Sequence, residues 1–398
     1  VILLKKLKPN KLNFIDVFAG AGGLSCGLEM AGMQCVLGID SDKYAMQTFQ
    51  ENHLKAQSYC GDVSLLTKSR LKEMIGEVPI HAVVGGPPCQ GFSTVGLGNP
   101  EDMRNKLFME FLRLVRVTNP IFVVIENVTG LLAQKNESTL KSIFKKFAEL
   151  GYQMDVQVMS SQNYGVPEKR RRTILIGTKL DVKIEFPKFS HDTVMAKTYR
   201  PAVTVGDAFE DLQDQEGQVH NHDLKWAEVK SKIDLKRLRR VPEGKGIRYK
   251  KDEMAYLTPS LRLGVDWETM RENRFRQAKY QRLERTSPSP TIMTHRHSYF
   301  HPVEHRYLTQ REAARIQSFP NNFIFCGPIS AQWRQIGNAV PPLMAKAIGK
   351  SLLKMHKQDM KLTAAQRKEL RSQVSDKILN YRKQAFVYRE AKTETRAS

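Results

Sequence analysis

No stretch of the 398 residues approaches the roughly 18 to 20 consecutive apolar residues that a bilayer span requires. The opening VILLKKLKPNK is too short and too basic for a signal peptide, so a soluble cytoplasmic protein with no membrane partner is expected. Cysteines are few (Cys26, Cys35, Cys60, Cys89 and Cys326) and odd in number, with no C-x-x-C spacing and no histidine at ligand spacing. Neither a disulfide framework nor a zinc ribbon, nor any other metal site, is expected. G-x-x-x-x-G-K-[ST] is missing, which argues against a phosphate-cradling nucleotidase. G-x-G-x-x-G is broken, because Ser25 stands where the third glycine belongs, and this weakens a nicotinamide-dependent oxidoreductase. Acids are also short: 41 Asp+Glu face 63 Lys+Arg, a formal charge of +22. That excess points to a polyanionic partner, nucleic acid first, although many basic proteins are merely kept soluble by such charge.

What is present alternates. Asn13 to Phe18 is a short apolar run ending in Gly20, Gly22 and Gly23, and Leu24, Leu28 and Met30 follow at helical spacing. Cys35 to Ile39 is a second run, stopping at Asp40, about 20 residues after the glycine turn, where a ribose-binding acid sits in nucleotide-binding β-α-β units. Ile80–Val84 and Ile121–Ile125 read as further strands, Leu107–Val117 and Thr139–Leu150 as helices, and Val156–Met159 and Thr173–Ile176 as the last strands. This predicts an α/β fold with a doubly wound, mostly parallel sheet. Beyond about Lys179 the periodicity weakens, and Lys225–Arg285 carries 18 lysines and arginines against 9 acids with several turn signals. A smaller, irregular module of short β elements and loops is expected there. Thr309 starts a capped helix and Pro341–Lys354 reads as another. From Lys354 to Ser398 there are 12 basic and 5 acidic residues, and Leu370, Val374 and Ile378 share one face of an expected docked helix.

Ligands of open parallel sheets bind outside the carboxyl ends of the strands, and three such ends carry chemistry. The first is the glycine turn; alone it is no more than a turn, but Asp40 and Gly61-Asp62-Val63 favour an adenosine-type cofactor. The second is Pro87-Pro88-Cys89-Gln90-Gly91-Phe92-Ser93. A lone cysteine is ordinarily a small buried hydrophobe, but two stiffening prolines and flanking glycines at the sheet's catalytic edge suit a positioned nucleophile. The third is Glu126-Asn127-Val128, where the acid is either a solvated strand end or a proton donor facing the thiol. Arg170 and Arg172, two apart, could hold that carboxylate, neutralise an anionic ligand, or simply decorate a basic loop.

Taken together these motifs resemble the DNA (cytosine-5)-methyltransferase family of the bacterial restriction-modification type, from about Leu12 to Leu353. They occur in the family's order: Asp16 to Gly23, Asp40, Gly61-Asp62-Val63, Gly85 to Ser93, Glu126-Asn127-Val128, Arg170-Arg171-Arg172, Arg306 to Pro320, and Gln335 to Pro341. Two positions depart from the pattern. Glu168 stands where the family often has Gln, and Ser41 follows Asp40 where some members place an aromatic against adenine.

The resemblance implies a class I S-adenosylmethionine-dependent methyltransferase, releasing S-adenosylhomocysteine, with a smaller β-rich target-recognition domain. It implies Cys89 as nucleophile on cytosine C6, Glu126 on the N3/N4 edge, Arg172 on the base oxygen and Arg170 bracing the site. The methyl donor would lie along Phe18, Ala19, Gly20, Ala21, Gly22, Gly23 and Leu24, with Asp40 on the ribose hydroxyls, Ser41 beside it in the cofactor-binding set, and Asp62 and Val63 at adenine. Pro88, Leu107, Asn338, Ala339 and Val340 would close the pocket. The implied domains are 1–180 (catalytic, first part), 181–308 (target recognition), 309–354 (return segment completing the catalytic domain) and 355–398 (basic helical extension). The loop from Gly91 to Arg104 would close over a flipped base. Double-stranded DNA is the implied partner, with a cognate restriction endonuclease acting separately, and a monomer in the bacterial cytoplasm beside the nucleoid is expected. An RNA cytosine methyltransferase is disfavoured by the long basic insert. A non-catalytic DNA-binding regulator is disfavoured by Cys89 and Glu126, for which a pure binder has no use.

Overall fold

The computed structural model describes residues 11–87, 103–133, 136–192, 199–212 and 217–372. They divide into two compact units: one comprises residues up to 160, 171–188 and from 342 onward, the other 161–170 and 189–341. The segment 309–354 therefore straddles the two.

In the first unit the alternation becomes β1 (Asn13–Val17), α1 (Gly23–Ala31), β2 (Gln34–Asp40), α2 (Lys43–Asn52), β3 (Gln57–Cys60), α3 (Lys68–Ile75), β4 (Ala82–Gly85), α4 (Met103–Thr118), β5 (Phe122–Val128), α5 (Glu137–Glu149), β6 (Gln153–Ser160) and β7 (Arg171–Thr178). The seven strands form one sheet in the order β3-β2-β1-β4-β5-β7-β6. Pairing is parallel from β3 to β5, and β7 runs antiparallel to both its neighbours. The central strands are covered on both faces, which is why they read as unbroken apolar runs. Ile15, Val17, Val83 and Val123 pack with Leu71, Phe108, Phe111, Ile143 and Phe147 of α3, α4 and α5. The alternate residues Phe14, Val84 and Val124 are fully buried on the opposite side.

The helix Pro342–Asp359 returns to this unit and packs along α1. The approach depends on Gly27: a β-carbon there would stand 2.2 Å from the Pro342 carbonyl oxygen and 2.4 Å from Ala345 Cβ. Met103 opens α4, so the last two residues of the expected 91–104 loop are helical.

Among the described residues of the second unit, strands are confined to two short pairs, Ile247–Tyr249 with Arg274–Lys279 and His191–Asp192 with Arg200–Pro201. Short helices and 3-10 turns supply the rest, around a small cluster of Val241, Ile247, Leu257 and Trp267. Irregular backbone leaves many carbonyls without ladder partners, and buried arginines, with five donors each, satisfy them. Arg282 donates to the carbonyls of His301, Pro302, Val303, Glu304 and Leu238. Arg311 does the same for His220, Pro320 and Phe323, and burial pushes its pKa down to about 10. Thr309 and Glu312 form a capping box at the start of the expected helix, and Arg306 binds Glu312 at 2.7 Å.

Candidate active site

β1 has β2 on one side and β4 on the other, and the strand order reverses there, which makes the carboxyl ends of β1 and β4 the topological switch point. On the β1 side the chain turns through three left-handed residues, Phe18 (φ 64°), Gly20 (φ 55°) and Gly22 (φ 89°), before α1 begins. Asp40, at the end of β2, ties this turn: its carboxylate accepts the Gly20 N–H at 2.8 Å and the Asp42 N–H at 2.9 Å. Burial raises the Asp40 pKa, while these donors oppose the shift. A β-carbon on Gly20 would meet nothing within 4 Å, so the turn faces open space. Gly22 is the opposite case, since a β-carbon would fall 2.2 Å from His53 Nε2. His53 cannot easily give way, being buried, in tilted ring contact with Phe49 at 4.4 Å and held by Glu29 at 2.7 Å.

Beneath the turn lies Asp16, fully buried in β1 and accepting the Ser25 hydroxyl at 2.6 Å. Burial pushes its carboxyl up to about 7. Asp62 caps the turn that follows β3 by accepting the Ser64 N–H, and Val63 beside it is buried. Leu107 of α4 is half-buried against the core. Ser41 is exposed.

On the β4 side, Gly85 sits so close to β1 that a β-carbon would lie 1.9 Å from the Val17 carbonyl oxygen. Gly86 and Pro87 then lead toward Pro88, Cys89 and the glycine-rich loop, which lie outside the described residues. The root of that loop is anchored by Asn127 at the end of β5, whose side-chain amide donates to the Pro87 carbonyl at 2.9 Å. Next to it, Glu126 Oε1 is paired with Arg172 Nε at 2.7 Å, the two side chains only 14% and 17% exposed. The antiparallel direction of β7 creates this pair: its first residues lie at the edge where the parallel strands end, with Arg172 opposite Val128. Glu126 Oε2 faces Gly86, 3.2 Å from where a β-carbon would stand.

The structure thus joins Phe18 to Leu24 with Asp40, and Glu126 with Arg172. Arg170 belongs to the second unit, where its guanidinium is buried 4.0 Å from Glu168, and Glu168 accepts the Ile292 N–H at 2.6 Å. Asn338, the last residue of the helix Ile329–Asn338, is exposed and Val340 is buried, also in the second unit. Among the described residues no group of three or more His, Cys, Asp or Glu side chains could hold a metal ion. Asp16 and Asn127 were quoted within motifs of the sequence but given no role of their own, and His53 was not singled out. The available signals were an acid inside an apolar strand and an amide adjoining Glu126.

A sheet of this order, with its reversed strand and a glycine turn at the switch point, defines the class I methyltransferase fold. The profile of the C-5 cytosine-specific DNA methylases matches residues 12–354, and the chain belongs to that family. It is 34% identical to the type II methyltransferase M1.HphI of Haemophilus parahaemolyticus over 87% of each chain. It is 32% identical to M.DdeI of Desulfomicrobium norvegicum, over 86% of this chain and 88% of that one. A solved DNA modification methyltransferase encoded within an E. coli prophage matches with a TM-score of 0.66 and 28% identity, covering 87% of this chain and all of that one. The S. pombe Dnmt2 methyltransferase, at 18% identity and a TM-score of 0.51, shares the fold alone. The protein is a DNA (cytosine-5)-methyltransferase of the type II restriction-modification kind.

Proposed function

We propose that this enzyme methylates C5 of one cytosine within a specific short double-stranded DNA sequence, using S-adenosylmethionine, base flipping and a covalent bond between Cys89 and C6. The observation that carries the reading is the Glu126–Arg172 pair at the carboxyl edge of the sheet, beside the anchored root of the cysteine loop.

The residues at the glycine turn fit an adenosine-type cofactor: open space over Gly20, a half-buried carboxylate at Asp40 for ribose hydroxyls, and Asp62 with Val63 at the end of the next strand. When bound, S-adenosylmethionine supplies an electrophilic methyl group. The chain's own residues make cytosine able to accept it. Cytosine C5 is a poor nucleophile, and addition of the Cys89 thiolate to C6 moves the electron pair of the 5,6 double bond to C5. Glu126 hydrogen-bonds the N3/N4 edge and supports a proton at N3, while Arg172 orients Glu126 and donates to the base oxygen. After methylation the C5 proton leaves, the 5,6 double bond re-forms and the Cys89 thiolate departs. Pro88 and Leu107 close the pocket on the side of the first unit, and the loop from Gly91 excludes water from the flipped base. Flipping costs a few kcal/mol. Exposed Arg239, Arg240, Lys245, Arg248 and Lys250 of the module 181–308 contact phosphates, and other side chains there read base edges.

Transfer of radiolabelled methyl groups to duplex DNA tests this reading. The parent should label DNA, and Glu126→Gln should lose about 10²- to 10³-fold in kcat with little change in duplex affinity. Equal turnover by the two would overturn the assignment of Glu126.

A further inference from the structure

We propose that the exposed face of the helix Pro342–Asp359 is a second, sequence-independent docking surface for the phosphate backbone of duplex DNA, distinct from the catalytic edge. Lys346, Lys350, Lys354, Lys357 and Lys361 follow one another at spacings of four, four, three and four residues, so they share one face of the helix and its terminal turn. The last four are exposed. At a rise of about 1.5 Å per residue the row is about 22 Å long. Along it runs a groove of about 490 Å³ floored by Ala31 and Leu353.

The row contrasts with α3, α4 and α5, each of which carries an ion pair within the helix: Arg70 pairs with Glu73, Arg113 with Glu110 and Lys141 with Glu137. Like charges at i,i+4 destabilise a helix, so solubility or helix stability alone does not call for five of one sign. One carboxylate, Glu185, reaches the row, at 2.5 Å from Lys354. Among the described residues Lys346, Lys350, Lys357 and Lys361 have no acidic partner. Lysine is a flexible point charge, suited to phosphates of any sequence rather than to bidentate base reading. No aromatic residue lines the groove, so single-stranded bases have no stacking platform. A duplex presents about one phosphate per 3.4 Å along each strand, dense enough to engage every lysine of the row. Such a contact would hold the enzyme on DNA between recognition sequences.

The test uses the full-length protein and a labelled duplex lacking any methylated sequence, with affinity measured across a sodium chloride series. Lys350→Gln, Lys357→Gln and Lys361→Gln combined should lower the slope of log affinity against log salt by about 1 to 2.7, at about 0.9 per lost phosphate contact. Its kcat on a short saturating target duplex should stay at the parental value. The corresponding triple arginine variant should keep the parental slope. If the triple glutamine variant fails to fold, Lys357→Gln alone should still lower the slope by about 0.9. A parental slope in a folded variant overturns the proposal. So does loss of binding to a polyglutamate probe with duplex binding intact, which would assign the row to an acidic protein partner. Loss of methylation by the parent would instead count against the proposed reaction and leave this binding measurement readable.

Discussion

At the scale of single residues, the proposed chemistry rests on charges held at the sheet edge. Arg172 is one of two groups in a mostly buried ion pair, so Arg172→Ala leaves Glu126 uncompensated and should reduce kcat about 10²- to 10³-fold. Arg172→Lys should recover only part, because the Nε geometry is lost; steady-state kinetics with cofactor saturating separates these from effects on KM. Asp16 gives a stability prediction with a definite sign. Its folded pKa, about 7, lies above its unfolded value, so between about pH 4 and 7 the native state keeps a proton that the unfolded chain releases. Its contribution therefore falls as pH rises through that window and is level above it. Relative to the parent, Asp16→Asn should gain about 2 to 3 kcal/mol between pH 5 and pH 8, read from denaturant midpoints. A constant difference would show that Asp16 is ionised throughout.

At the scale of elements, two glycines mark approaches that no side chain can enter. Gly22→Ala puts a methyl group into His53 at a left-handed position and should destabilise the protein by about 2 kcal/mol or more while weakening cofactor binding. Gly27→Ala should loosen the packing of α1 on the helix Pro342–Asp359 by a similar amount, visible as a lowered Tm and earlier hydrogen exchange in that helix. The same elements show what could be read in advance. β1, β2, β4 and β5 were legible because strands buried on both faces are continuous apolar runs ended by glycine or acid. β3, with the sequence QSYC and only partial burial, carries no such pattern. Nor were α2 and α3 singled out, although Asp42 and Thr67 cap them. The direction of β7 follows from chain length: the ten residues between β6 and β7 are too few for a parallel crossover. That reversal delivers Arg172 to Glu126, whereas spacing alone left open whether the two arginines hold that carboxylate, neutralise an anionic ligand or decorate a loop. Burial of Arg170 beside Glu168 is a tertiary fact that two-residue periodicity does not encode. The expected face of Leu370, Val374 and Ile378 extends beyond the described residues.

At the scale of the whole molecule, the chain combines a wound sheet, which supplies chemistry, with a loop-rich basic unit organised by buried arginines. Exchange of residues 181–308 for the corresponding region of another family member should change the sequence methylated while leaving the C5 product unchanged. An unchanged recognition sequence would remove the specificity role from that segment. The central claim is tested most directly by methylation sequencing of plasmid DNA incubated with S-adenosylmethionine and either the parent or Cys89→Ala. The account predicts 5-methylcytosine at one position of one short motif with the parent and none with the variant. Methylation by Cys89→Ala, or methyl groups scattered without a motif, would contradict it.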